Sequence, residues 1–257
     1  MQQFFRPRQA FSLVELSIVL VILGLLVGGI LSGQSLIRAA ELRSILSQRQ
    51  QIITAVNTFR DKYFALPGDM TNATSVWGVA HATPATCATT ASTDSKTCNG
   101  NGDGMIYSTS TSHETFRFWQ QLANAGLIEG SYDGIAHGAS NYSATAANSL
   151  KGRMSNSLWF VWNWITPVSG DGTWFDGDYG NRLSIGIIGV DGEPSNSLLK
   201  PEEAWNLDMK ADDGKPATGN FVAAAWTNCT TASSGADKAA AYKMSTTSAA
   251  CILISPR

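Results

Sequence analysis

Phe11–Leu31 reads FSLVELSIVLVILGLLVGGIL, and these 21 residues carry one formal charge, Glu15. A helix needs about 20 predominantly apolar residues to cross a bilayer core, so the stretch is long enough to span. Met1–Ala10 precedes it as MQQFFRPRQA, with two arginines, a proline and no acid. A secretory signal peptide is the competing reading, but its apolar region is typically ~7–15 residues and ends at a small-residue cleavage site. Here the run is longer, and Gly28, Gly29 and Ser32 make only a weak site. The expectation is an anchor that stays in the chain. Glu15 is the costly residue, because a carboxylate in a helix at membrane depth costs roughly 2.5–3.5 kcal/mol on insertion scales. Near the interface, or protonated, it is merely tolerated. Otherwise it needs a positive partner at the same depth, and only an α-amino group made by cleavage before Phe11 could serve.

The string Ala10, Phe11, Ser12, Leu13, Val14, Glu15 followed by the apolar run resembles the N-terminal signature of type IV prepilins and of the related pseudopilins of type II secretion. The resemblance implies that a prepilin peptidase cuts between Ala10 and Phe11, that Phe11 is then methylated, and that Glu15 neutralises the terminal amine of a neighbouring subunit during assembly. The position before the cut is usually Gly in that family and here is Ala10, a small residue for which slower processing is expected. The implied localisation is a single-pass inner-membrane precursor with its head in the periplasm, later part of a periplasmic or extracellular filament. The implied partners are the peptidase, copies of this chain or other pilins, the inner-membrane assembly platform and the lipid bilayer. Counting basic residues does not orient the span, since Arg6 and Arg8 precede it while Arg38, Arg43 and Arg49 follow it. Removal of the leader leaves 247 residues, large for a major pilin. A minor pilin or a major pilin with a decorated head is favoured over a small secretion pseudopilin.

Leu36–Tyr63 holds no Pro and no Gly, and Leu42, Ile45, Leu46, Ile52, Ile53, Val56, Phe59 and Tyr63 recur at spacings of three and four, the pattern of an amphipathic helix. Joined to the apolar run, the predicted helix extends from about Phe11 to about Phe64 and ends at Leu66–Pro67. A helix apolar all round at one end and striped at the other needs neighbours. Gly24 with Gly28, and Gly29 with Gly33, form small-xxx-small pairs that would admit close helix approach in lipid; glycine is also simply common in such helices. The expected organisation is a leader at 1–10, a transmembrane and assembly helix at 11–34, its amphipathic continuation at 35–64 and a globular head at 65–257.

In the head, His81–Asn99 reads as a surface loop. Phe116–Gly126 reads as a helix ending near its glycine. Leu158–Ile165 and Leu183–Val190 read as a strand hairpin around a turn-rich loop. Glu202–Met209 reads as a short helix behind Pro201, and Phe221–Thr227 as a third strand. An antiparallel sheet laid on the striped half of the long helix would bury the apolar face of each. The fold class expected is therefore α+β, and the resemblance implies the type IV pilin architecture.

Cys87, Cys98, Cys229 and Cys251 allow three pairings if all are oxidised, and free cysteines are the alternative. No C-x-x-C occurs, which disfavours zinc and thioredoxin chemistry. By resemblance to pilins, a C-terminal bridge from Cys251 to Cys229 would pin the tail. Asn99–Ile106, NGNGDGMI, looks like half of a calcium loop, with side-chain oxygens at Asn99, Asn101 and Asp103 before Gly104. The twelfth position is Ser110 where the bidentate Glu belongs, and Glu114 could substitute only in a reshaped loop. Asp208, Asp212 and Asp213 form a second acidic turn. Calcium is the only cofactor these clusters suggest, and some pseudopilins bind it in the head; a solvated turn is the plainer reading of both.

No H-E-x-x-H, G-x-S-x-G or P-loop is present, and His81, His113 and His137 are isolated in surface-like sequence. Asp171, Asp176 and Asp178 read as a turn, and no enzyme is expected. Residues 11–60 are net +2 and residues 61–257 net −6, so no nucleic-acid partner is expected either. From a different class, a signal-anchored envelope protein could bind a carbohydrate or other surface ligand through Trp159, Trp162, Trp164 and Trp174, although tryptophans in paired strands more commonly fill a core.

Overall fold

The computed structural model describes residues 12–256 apart from 88, 93, 139, 165 and 171. The leader, the Ala10–Phe11 cleavage pair and Asp171 lie outside the described residues. The elements are α1 (Leu13–Tyr63), α2 (Ala73–Trp77), α3 (Pro84–Cys87), α4 (Glu114–Asn124), β1 (Ser157–Asn163), β2 (Asn181–Ile187), α5 (Pro201–Ala211), β3 (Val222–Ala223) and β4 (Leu253–Ser255). The chain divides into two compact units between Glu41 and Leu42, within α1. In the first, every residue from Ser12 to Ser32 is exposed.

The second unit builds its core on the striped part of α1. Ile45, Gln48, Ile52, Ala55, Val56 and Phe59 are buried at helical spacing. Gln48 interrupts an otherwise apolar stripe and is tolerated because its amide is satisfied: Nε2 donates to the Lys151 carbonyl at 3.1 Å, while Oε1 accepts from Arg153 N–H at 3.1 Å and Trp159 Nε1–H at 3.2 Å. Phe64, with φ +54°, turns the chain out of the helix.

The sheet is antiparallel throughout, in the order β1-β2-β4-β3. Register aligns Trp159 with Ile185, Val161 with Leu183 and Ile185 with Leu253, so these side chains share one face and join the core of Ile45, Ile52, Val56 and Phe59. The opposite face is also covered. Leu158 and Phe160 pack with Phe116 and Ala144, while Val222 and Ile254 pack with Trp174, Phe175 and Tyr179. Burial on both faces explains why β1 reads as an unbroken apolar run, where one wet face would have imposed alternation.

The hairpin is present with its ends shifted, Ser157–Asn163 paired to Asn181–Ile187, and α5 runs Pro201–Ala211. Two expectations change. The third strand is two residues long: beyond Ala223 the segment leaves β4 for the Trp174 loop, where Ala224 bridges Trp174 and Ala225 N–H donates to the Thr173 carbonyl. The second concerns 81–99, which holds α3 and buries Cys87, Ser92, Thr97 and Cys98. Helix α4 starts at Glu114 and ends in a Schellman motif, with Leu127 N–H on the Leu122 carbonyl at 3.0 Å, Gly126 N–H on the Ala123 carbonyl at 2.9 Å and Gly126 at φ +71°.

Of the three pairings open in the sequence, the structure has Cys87–Cys98 and Cys229–Cys251, with no free cysteine among the described residues. The second bridge holds β4, the last strand in the chain, in the interior of the sheet between β2 and β3. Closing a loop of 22 residues is worth about 3 kcal/mol in the chain-entropy model. The double variant Cys229→Ser, Cys251→Ser should therefore lower the urea midpoint by roughly that amount, divided by the m-value. An unchanged midpoint would show that β4 needs no covalent hold.

Candidate functional site

The N-terminal unit brings Ser12 and Glu15 together. Ser12 N–H donates to Glu15 Oε2 at 2.9 Å, and Ser12 Oγ accepts from Val14 N–H at 3.2 Å. Glu15 makes its half of an S-x-x-E capping box, while Ser12 Oγ caps the amide of the second helical residue instead of the third, and together they satisfy backbone donors left open at a helix start. A neutral glutamine offers the same acceptor oxygen, so the cap itself does not require the charge. In the same unit, a Cβ added to Gly24, Gly28, Gly29 or Gly33 would meet nothing within 4 Å. Glycine in a helix interior costs about 1 kcal/mol relative to alanine, and no contact among the described residues compensates for these four. Among the described residues, the apolar surface from Leu13 to Leu31 is likewise exposed.

In the head, the loop after α1, the NGNGDG turn and the start of α4 converge on three carboxylates. Asp69, Asp103 and Glu114 each present an oxygen within 4.8 Å of the others. Gly68, at φ +88°, makes this approach possible, since a Cβ there would lie 2.5 Å from the Glu114 carbonyl oxygen. Asp69 anchors the turn by accepting from Gly102 N–H at 2.5 Å and Gly104 N–H at 2.9 Å. Glu114 is 2% exposed; one carboxylate oxygen accepts from Asn101 N–H at 3.1 Å, and Oε2 has no partner. Burial pushes its pKa up to about 7 and pushes that of Asp69 upward, the latter opposed by the Gly104 and Gly102 hydrogen bonds.

Of the donors expected for calcium, Asn101 lies against this cluster, its Nδ2 donating to Asp103 Oδ2 at 2.8 Å. Asn99 Oδ1 accepts from Thr74 N–H at 2.8 Å and Asn101 Oδ1 from Asp103 N–H at 3.0 Å, so both amides brace the turn. Asp103 stays in the cluster, and Asp69 and Glu114 join it. Asp69 was invisible to spacing because it lies 34 residues before Asp103; the only local signal is the turn-prone Pro67-Gly68 pair. Three oxygens with one orphaned and buried fit a hard divalent cation such as calcium.

Asp208, Asp212 and Asp213 are also close together, but they mainly close the end of α5. Asp212 accepts from Asn220 N–H, Asp213 accepts from Lys215 N–H at 2.9 Å and Thr218 Oγ1–H at 2.8 Å, and the buried Asp208 accepts from Tyr242 O–H at 2.8 Å. One histidine differs from the expected surface placement, His113, while His81 and His137 are exposed. His113 is buried ahead of α4, with Nδ1 accepting from Ala136 N–H at 3.3 Å, and His137 contacts Asp133. Trp159 belongs to the core, whereas Trp162, Trp164 and Trp174 line one cavity on the other side of the sheet.

The family model describing a prokaryotic N-terminal methylation motif matches residues 5–31. The matched span contains Ala10, Phe11, Glu15 and the apolar run, so the chain carries the prepilin-type signature at its N-terminus. No curated protein and no solved structure matches the chain.

Folded Glu114 holds its proton to about pH 7, whereas the unfolded chain releases it near the ordinary 4.5. The stability it contributes is therefore full below about pH 4.5 and is lost as pH rises to about 7, on the order of 3 kcal/mol. In EDTA, Glu114→Gln should flatten the pH dependence of Tm across this window. Calcium chloride at pH 8 should raise the Tm of the parent chain and leave that of Glu114→Gln unmoved. Equal behaviour of the two chains in both measurements would reduce the cluster to a hydrogen-bonded turn.

Proposed function

From the prepilin-type signature, we propose that the chain is a pilin-like structural subunit of a type IV pilus or related filament. It is made as a precursor held in the inner membrane by the apolar run, with the head in the periplasm. Prepilin peptidase cuts between Ala10 and Phe11, Phe11 is methylated, and the assembly platform adds the subunit to copies of itself or to other pilins. The observation that carries this reading is the exposed apolar part of α1 with its single carboxylate. Its surface needs lipid before assembly and helical neighbours afterwards. The glycines at 24, 28, 29 and 33 let such neighbours approach closely. Freed by cleavage, the amine of an adjacent Phe11 supplies the counter-ion that Glu15 needs at membrane depth. Calcium bound at Asp69, Asp103 and Glu114 would stiffen the head without taking part in assembly.

The capping box separates two roles of Glu15. Glu15→Ala removes both the acceptor and the charge, whereas Glu15→Gln keeps the acceptor and removes only the charge. Filament assembly in cells carrying the peptidase should be lost in both variants, while the Gln variant accumulates in the membrane as a processed, folded subunit. Mass spectrometry of the parent should find a 247-residue chain beginning with N-methylated Phe11. An intact leader, or normal filaments from Glu15→Gln, would overturn the reading.

A further inference from the structure

The far side of the sheet holds a cavity of about 420 Å³, within the range of small-molecule sites. It lies where β2 runs between the two aromatic clusters of that face. Trp162, Trp164, Trp174 and Trp226, half of the protein's eight tryptophans, line it together with Tyr142. All but Trp174 are partly exposed. Tyr142 meets Trp162 edge-on at 4.4 Å, and Trp164 meets Trp174 edge-on at 5.5 Å, so rings of different orientation wall the space.

Its polar groups are unevenly satisfied. Arg182 is 4% exposed, stacked over Trp164 with the guanidinium carbon 3.2 Å from the ring centroid. Its Nε has no acceptor, Nη1 reaches the Trp162 carbonyl only at 3.5 Å, and Nη2 stands 3.9 Å from Glu193. A guanidinium has five N–H donors, and leaving buried donors unmet is costly. Desolvation pulls this group down to about 9. Glu193 and the exposed Asp191 bring acceptors to the same cavity. The segment carrying Glu193 lies against the sheet because residue 186 is glycine: a Cβ there would lie 2.4 Å from the Pro194 carbonyl oxygen.

These features select a ligand class. Two carboxylates disfavour an anion, and Arg182 already occupies the face of Trp164 where an organic cation would sit. What remains is a neutral molecule with flat C–H faces for the indoles and hydroxyls at its edge, able both to accept from Arg182 and to donate to Asp191 and Glu193. We propose that this cavity binds an uncharged saccharide through β-linked, gluco-configured pyranose rings, whose axial hydrogens and equatorial hydroxyls have that geometry. The head would thereby attach the chain to a glycan. This site is separate from the filament reading, and either can fail alone.

The test uses the full-length chain in nanodiscs of phosphatidylethanolamine and phosphatidylglycerol. Tryptophan fluorescence and saturation-transfer NMR follow titration with cellotetraose and with chitotetraose up to about 10 mM, well above a millimolar Kd. A saturable response to either sugar is expected. Trp226→Ala should raise the Kd roughly two- to tenfold, the worth of one aromatic contact. Because Trp226 also packs against the core, Asp191→Asn, an isosteric change at an exposed residue, is measured beside it and should also weaken binding. The proposal is overturned by no saturable response to either sugar, by a response unchanged in both variants, or by tighter binding of choline chloride than of either sugar.

Discussion

An apolar helical surface that the described residues leave uncovered is the constraint from which the rest follows. From Ser12 to Ser32 every residue of the N-terminal unit is exposed, and leucine, isoleucine and valine dominate. Water is a poor solvent for that surface, and burying it is favourable at about 25 cal/mol per Å². The cover has to come from lipid or from other chains. The head must then complete its own core, and the unit from Leu42 onward does so with the striped part of α1 and both faces of a four-stranded sheet.

Within the head, α4 organises the irregular chain around it through buried polar side chains. Arg117 donates to the carbonyls of Cys87 and Thr90 at 2.9 and 2.8 Å, Gln120 to that of Ser92 at 2.7 Å, and Gln121 accepts from Gly68 N–H at 2.7 Å. Loops thus meet their hydrogen-bonding demand without ladders, and the price of that arrangement is a helix with charged groups facing inward. Glu114 is the extreme case, with one oxygen unpartnered. Cys87–Cys98 ties the same loop region covalently. On the far side of the sheet, β2 presents Arg182 and Ser184 between two aromatic clusters, and that gap between separately packed patches is where the cavity opens.

Glu15 answers a local requirement in the structure, and the proposed assembly would give its charge a second one. Locally its oxygen caps Ser12, a contact worth what any helix cap is worth. Its charge has no such local purpose. The four uncompensated glycines have the same logic: they are unfavourable in an isolated helix and useful only against a close neighbour. Both features fit the proposed assembly.

Patterns local in the chain were legible without coordinates. Apolar content between Phe11 and Leu31 defined the span, three-and-four spacing from Leu42 to Tyr63 defined the buried stripe, and aromatic and β-branched runs defined the hairpin, because helix and strand periodicity depend on neighbours a few residues away. Contacts between distant segments were not legible. Tertiary structure alone inserted β4 between β2 and β3, brought Asp69 to Asp103 and Glu114, and set Trp162 beside Arg182. The physical reason is that such positions are chosen by packing and desolvation summed over the whole domain. A three-residue strand or a lone aspartate carries no signal of that sum in its own sequence.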